Sequence, residues 1–159
     1  MIVVVDYGMG NLRSVSKALE TLGAPVRVSG EAAAVERAEK LILPGVGAFP
    51  AAMRELGARG LIDPIKRVIA GGRPYLGICL GLQLLFDDSE EGTGAKGLGV
   101  LAGRVRKFTT GSEPRLKIPH MGWNQVSGQP APALGSGGPG RSVVSGQKEC
   151  PLLKGVPEG

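Results

Sequence analysis

Histidine occurs once in this chain of 159 residues, cysteine twice, and Phe, Trp and Tyr together make up only 4%. One histidine and two distant cysteines do not make a zinc site. Cys79 and Cys150 cannot form a disulfide framework. The opening residues lack the basic flank of a signal peptide, so the expected compartment is a reducing cytoplasm, where a useful cysteine acts as a thiol. Scarce aromatics leave little on which bases could stack, and no nucleic-acid partner is expected. Nothing approaches a run of about 18 apolar residues, so no membrane span is expected. There is no Walker A sequence. Gly8-Met9-Gly10 begins a dinucleotide fingerprint, but Arg13 stands where its third glycine belongs. No cofactor and no metal are expected.

Glycine, by contrast, is plentiful: 27 of 159 residues against about 7% in average usage. Such a chain has many tight turns and many close backbone approaches. With 42% hydrophobic and 21% charged residues, the length suits a single soluble domain over residues 1–159. The net charge of +5 comes from scattered basic residues and reads as an ordinary basic surface.

The all-apolar run at residues 2–5 predicts a strand buried on both faces. Asp6 to Gly10 form a turn, and Asn11 caps a helix with apolar positions Leu12, Val15, Leu19 and Leu22, ended by Gly23. Further strands are predicted at residues 25–28, 40–43 and 73–78. Helices are predicted at 31–39, 50–56, 61–70 and 80–86, the last with Leu82, Leu85 and Phe86 turned inward. Strands alternating with helices predict a doubly wound, mostly parallel α/β sheet of flavodoxin-like layout. Functional residues then collect at the carboxyl ends of the strands. Residues 87–97 are expected to form a loop, and residues 100–108 an antiparallel strand pair. Residues 127–149 hold six Gly, three Pro and three large aliphatics, and are read as a flexible insert.

Gly77-Ile78-Cys79-Leu80-Gly81 has the form of a nucleophile elbow with cysteine in the central position. Flanking glycines permit a sharp strand-to-helix turn that exposes the thiol. The helix terminus favours the thiolate, and the N–H of Leu80 is a natural oxyanion donor. The alternative is a buried cysteine in a Gly-rich turn. Leu43-Pro44-Gly45-Val46-Gly47-Ala48-Phe49 follows the third strand and would lie at the same sheet edge. It could supply the second oxyanion N–H, or be an ordinary β-α turn. His120 is the one imidazole by count that could serve Cys79 as a base, although a lone histidine more often has a structural role.

Together these motifs resemble the class I glutamine amidotransferases. Asp6 to Leu12, Leu43 to Phe49, and Pro119-His120-Met121-Gly122-Trp123-Asn124 are more closely similar to the glutaminase subunits of imidazole glycerol phosphate synthases. The resemblance implies Cys79 as the nucleophile that attacks the side-chain amide of glutamine. It implies Leu80, Val46 and Gly47 as the oxyanion hole, and Gly45 and Gln83 as residues that hold the substrate. It implies a (β/α)₈ cyclase subunit as heterodimeric partner in histidine biosynthesis, with Asn11 and Trp123 in segments near that partner. It places His120 outside the catalytic triad, whose His and Glu lie in a segment reading roughly Phe-His-Pro-Glu. Residues 1–159 contain no such segment, so the expectation is a member incomplete at its C-terminus, with poor activity as it stands. Two alternatives are a non-catalytic module that docks on a cyclase barrel, and the glutaminase subunit of another amidotransferase.

Overall fold

The computed structural model describes residues 1–92 and 94–108. The expected insert at 127–149, together with His120 and Trp123, lies outside the described residues, so the extent of the single domain is described only in part.

Four strands, β1 (Ile2–Val5), β2 (Val26–Ser29), β3 (Lys40–Gly45) and β4 (Tyr75–Cys79), form a parallel sheet in the order β2-β1-β3-β4. Helix α1 (Leu12–Thr21) joins β1 to β2, and α2 (Ala32–Glu36) joins β2 to β3. Helices α3 (Phe49–Ala58) and α4 (Ile62–Ala70) join β3 to β4. This is the doubly wound parallel layout that the alternation predicts. Reversal of the strand order beside β1 places the β1 and β3 carboxyl ends at the switch point, where such sheets carry their sites.

The strand period of two divides the apolar residues between the faces. Val3, Val5, Leu41 and Leu43 enter one core with Val35 of α2, Ala38 just beyond it, Phe49, Ala52 and Leu56 of α3, and Ile65 and Val68 of α4. Val4 and Ile42 point to the opposite face and are also buried. On that face Val15 and Leu19 of α1 line a shallow apolar groove with Ile42, Leu76 and Ile78. No residue of α1 is buried, and Leu76 and Ile78 on β4 remain over a third exposed.

The helix ends follow their local chemistry. The side chain of Asn11 accepts from the N–H of Ser14 at 3.2 Å, as a capping residue should. Gly23 takes the left-handed conformation, φ +71°, just past α1. Helix α2 is shorter than the predicted 31–39. Its end tightens when the N–H of Ala38 donates to Val35 O, and the chain turns into β3.

Residues after Cys79 depart from expectation. Helix α5 (Leu80–Gln83) ends three residues early, and Phe86–Ser89 form strand β5 inside the predicted helix and loop. Leu82 is exposed rather than turned inward, while Leu84 takes the buried position. Strand β5 pairs antiparallel with β6 (Ala95–Lys96) and parallel with β7 (Leu101–Val105). Residues 100–108 thus contribute one strand, not an antiparallel pair. Asp87 and Asp88 are poor strand formers, which hides β5 in the sequence. The missing propensity is offset across the strands: Asp88 sits opposite Lys96 on one side and Arg104 on the other and pairs with both. The hydrogen bonds from Arg104 hold the Asp88 carboxyl below its ordinary range. Among the described residues, no helix is long and apolar enough to cross a membrane.

Candidate active site

Strand β4 runs into α5 with no loop between them, and Cys79 is both the last strand residue and the helix cap. Its backbone sits at φ 54°, ψ −116°, and it is the one non-glycine residue with positive φ among those described. Such a conformation costs about 1–3 kcal/mol and persists where the surroundings enforce it. The enforcement comes from the two flanking glycines. A Cβ on Gly77 would lie 2.6 Å from the backbone N of Leu82, and one on Gly81 would overlap the carbonyl oxygen of Leu43. With no side chains at 77 and 81, α5 folds back onto β3 and β4. The turn then pushes the Cys79 side chain outward, and the residue is exposed. This exposure excludes the alternative of a buried cysteine.

Leu80 is the first residue of α5 and is itself buried. Its N–H lies in the first helical turn, where backbone donors have no intrahelical acceptor. Gly45, the last residue of β3, lies opposite Cys79 in the parallel register. Val46 and Gly47 therefore leave the sheet at the same edge as the thiol. Val46 is exposed, and Gly47 adopts φ +96°, a conformation that favours glycine. Gln83 closes α5 one helical turn beyond Cys79 and is half-buried. Asn11 is exposed at the start of α1. Cys79, Leu80, Gly45, Val46 and Gly47 are thus brought together at one edge. Trp123 and His120 lie outside the described residues.

Two features escape a reading of sequence. Glu91 accepts the N–H of Phe49 at 2.9 Å, and so supplies from 42 positions away the cap that α3 lacks locally. The contact ties the chain after β5 to the residue two places beyond Gly47. The local signal was Ala48, which cannot cap the helix that follows it. The other feature is Tyr7. It is fully buried, and its hydroxyl has no hydrogen-bond partner among the described residues. Burial, then the negative charge of Cys79, pushes its pKa up to about 12. Tyr75, partly buried, is satisfied: its hydroxyl donates to Gly81 O at 2.9 Å. Among the described residues, no group of three or more His, Cys, Asp or Glu side chains could hold a metal ion.

A thiol exposed at a strained strand-to-helix turn, at a sheet edge shared with the first turn of a helix and a Gly-rich β-α turn, has the placement needed to attack a carbonyl carbon. Comparison with known proteins narrows this chemistry. The family model described as "Glutamine amidotransferase class-I" matches residues 3–149. The chain is 52% identical over 147 residues to the "Imidazole glycerol phosphate synthase subunit HisH" of Syntrophotalea carbinolica, covering 90% of this chain and 71% of that protein. It is 52% identical over 140 residues to the protein of the same description from Microcystis aeruginosa, covering 87% and 65%. The chain thus spans about two thirds of the length of these curated relatives. A solved structure described as a glutamine amidotransferase superposes with a TM-score of 0.59 at 24% identity, over 71% of this chain and 60% of that one, a likeness of fold.

Proposed function

The chain belongs to the class-I glutamine amidotransferase family, and on that premise we propose that it is the glutaminase subunit of an imidazole glycerol phosphate synthase. In this reading it hydrolyses glutamine to glutamate and ammonia. The ammonia passes to a cyclase subunit, within a cytoplasmic heterodimer that serves histidine biosynthesis. Support comes from identity of about half to proteins of that name and from the exposed thiol at the elbow.

The Cys79 thiolate attacks the side-chain amide carbon of glutamine, and a C–S bond forms as the carbonyl electrons move to oxygen. The backbone N–H groups of Leu80 and Val46, with Gly47 supplying the turn, receive that oxyanion; removing one such donor typically costs about 10²–10³-fold in turnover. Gly45 and Gln83 border the space where the rest of glutamine would lie. When the C–N bond breaks, the nitrogen takes a proton and leaves as ammonia. Water then attacks the glutamyl thioester, the C–S bond breaks, and glutamate departs with the thiol restored. Asn11 and Trp123 are the residues proposed to face the cyclase.

One observation carries the reading: Cys79 sits at φ 54° with its side chain exposed beside the end of β3. Its test is labelling with a glutamine-like electrophile such as 6-diazo-5-oxo-L-norleucine. The label should fall on Cys79, be blocked by glutamine, and vanish in Cys79→Ala. Equal labelling of Cys79 and Cys150, unaffected by glutamine, would leave the docking module as the better reading.

A further inference from the structure

The mechanism just given makes no use of Tyr7, although its hydroxyl group reaches the centre of the site. An ideal Cβ built on Gly45 would lie 2.7 Å from the Tyr7 hydroxyl, 2.8 Å from the Leu80 Cβ and 2.9 Å from the Gly81 N. The tip of the phenol, the end of β3 and the first turn of α5 therefore meet at one point. That point lies behind the Gly45–Cys79 pair, one residue before Val46 on one strand and one before Leu80 on the other. Gly45 has no side chain because the phenol and the elbow fill that space.

The ring alone would fill this volume. A phenylalanine would do so without a buried, unpaired hydroxyl, which costs about 1–3 kcal/mol. Tyr75 reaches the same turn and has its acceptor in Gly81 O; Tyr7 has none among the described residues. Its proton is held well above neutral pH, chiefly by burial and then by negative charge at Cys79. At working pH the group is thus a neutral hydroxyl, and it lies against Gly45, the residue paired with Cys79 across the two strands.

We propose that Tyr7 is a positioning residue of the elbow, its hydroxyl backing the Gly45–Cys79 pair and turning its dipole toward negative charge at Cys79. The proposal rests on the glutaminase reading for its purpose, but its physical content is the effect on the Cys79 thiolate. Among the described residues, the charged and titratable groups near Tyr7 belong to its own turn, α3 and α5's neighbour Tyr75. Asp6 accepts the N–H of Gly8. Arg59 and Glu55 of α3 flank Gly8 and pair with each other at 3.5 Å. Tyr75 is held on Gly81.

The test is Tyr7→Phe in a Cys150→Ser background, with alkylation of Cys79 by iodoacetamide followed across pH and thermal unfolding measured in parallel. The expected result is a melting temperature equal to or above that of the parent, with the half-maximal pH for alkylation moved upward. The neutral-pH rate should fall with it, because a smaller fraction of the thiol is then ionised. An unchanged pH profile in a folded Tyr7→Phe protein would overturn the proposal, and so would a fall in rate that merely tracks a lower melting temperature. Iodoacetamide makes no demand on glutamine recognition, so failure of the glutaminase reading is seen separately, as absence of glutamine-protected labelling in the parent.

Discussion

Gly45 and Cys79 face each other across the β3–β4 pair, and this single register sets the geometry of the site. It puts Val46 and Leu80, the residues that follow them, at one sheet edge on either side of the thiol. A slip of one residue would send the Cys79 side chain to the other face. The packing of Gly81 against the Leu43 carbonyl prevents that slip.

Replacing Gly81 with alanine is therefore expected to cost about 3 kcal/mol or more, since a Cβ would have to displace backbone. Gly23→Ala is the control. That position has φ +71° but nothing within 4 Å of an added Cβ, so only the left-handed conformation is penalised, at about 1–2 kcal/mol. Denaturant melts of the two variants should separate clearly. Similar losses would mean that the elbow yields more easily than its packing indicates.

Glu91→Ala should uncap α3 and cost about 1–2 kcal/mol, because the half-buried N–H of Phe49 loses its acceptor. Glu91→Gln keeps an oxygen in place and should recover most of the loss. The residue two places before Phe49 is Gly47, so Glu91→Ala should also slow labelling of Cys79 by a glutamine-like electrophile more than labelling by iodoacetamide.

Much of this arrangement is legible in the sequence. Residues 2–5 and 41–43 are continuous apolar runs that suit a strand buried on both faces, and the Asn11 and Gly23 signals bound α1 correctly. The elbow is read from Gly77 and Gly81 because both act locally. What is not legible depends on distant partners. Strand β5 contains two aspartates that count against it until Arg104 and Lys96 are placed beside them. Its pairing with β7 rather than within residues 100–108 is a tertiary choice. Leu82 fits an inward helical position only if α5 continues to Phe86. Glu91 caps a helix 42 positions earlier, and the Tyr7 hydroxyl, without a partner among the described residues, is brought by the fold to where β3 and α5 meet.

The alkaline limb of stability should report Tyr7. Its folded pKa, about 12, lies above the ordinary 10.0, so below pH 10 its titration takes nothing from stability. Stability then declines as pH rises toward 12, because the unfolded chain ionises first. Tyr75 is shifted in the same direction, by burial first. Tyr7→Phe should flatten the decline between pH 10 and 12 without abolishing it. An identical alkaline profile in the variant would contradict the burial assigned to the hydroxyl.

The acid limb should report Asp88, whose carboxyl is held below its ordinary value by the Arg104 hydrogen bonds. Its contribution is present above the unfolded carboxylate pKa and is lost as pH falls through the lowered folded value. Asp88→Asn should therefore be less stable than the parent near neutrality, with the difference closing in acid. Added salt should narrow the gap as well, since Arg104 and Lys96 are largely exposed. A difference that persists unchanged in acid would point to strand propensity instead of charge.

A polypeptide of residues 1–159 offers one imidazole, His120, and its family resemblance places that residue in a motif apart from the catalytic triad. Alkylation of Cys79 requires only the thiolate, but turnover also requires that the departing nitrogen be protonated and the attacking water deprotonated. A positioned acid–base group contributes about 10²–10⁴-fold to such steps. This polypeptide should therefore be labelled readily at Cys79 and yet release glutamate slowly, even with a cyclase subunit present. His120→Ala should leave the slow rate almost unchanged. Fusing the C-terminal segment of a longer relative should raise it by about the factor that a general acid–base contributes. Rapid glutaminase turnover by residues 1–159, abolished by His120→Ala, would instead make His120 the base for Cys79.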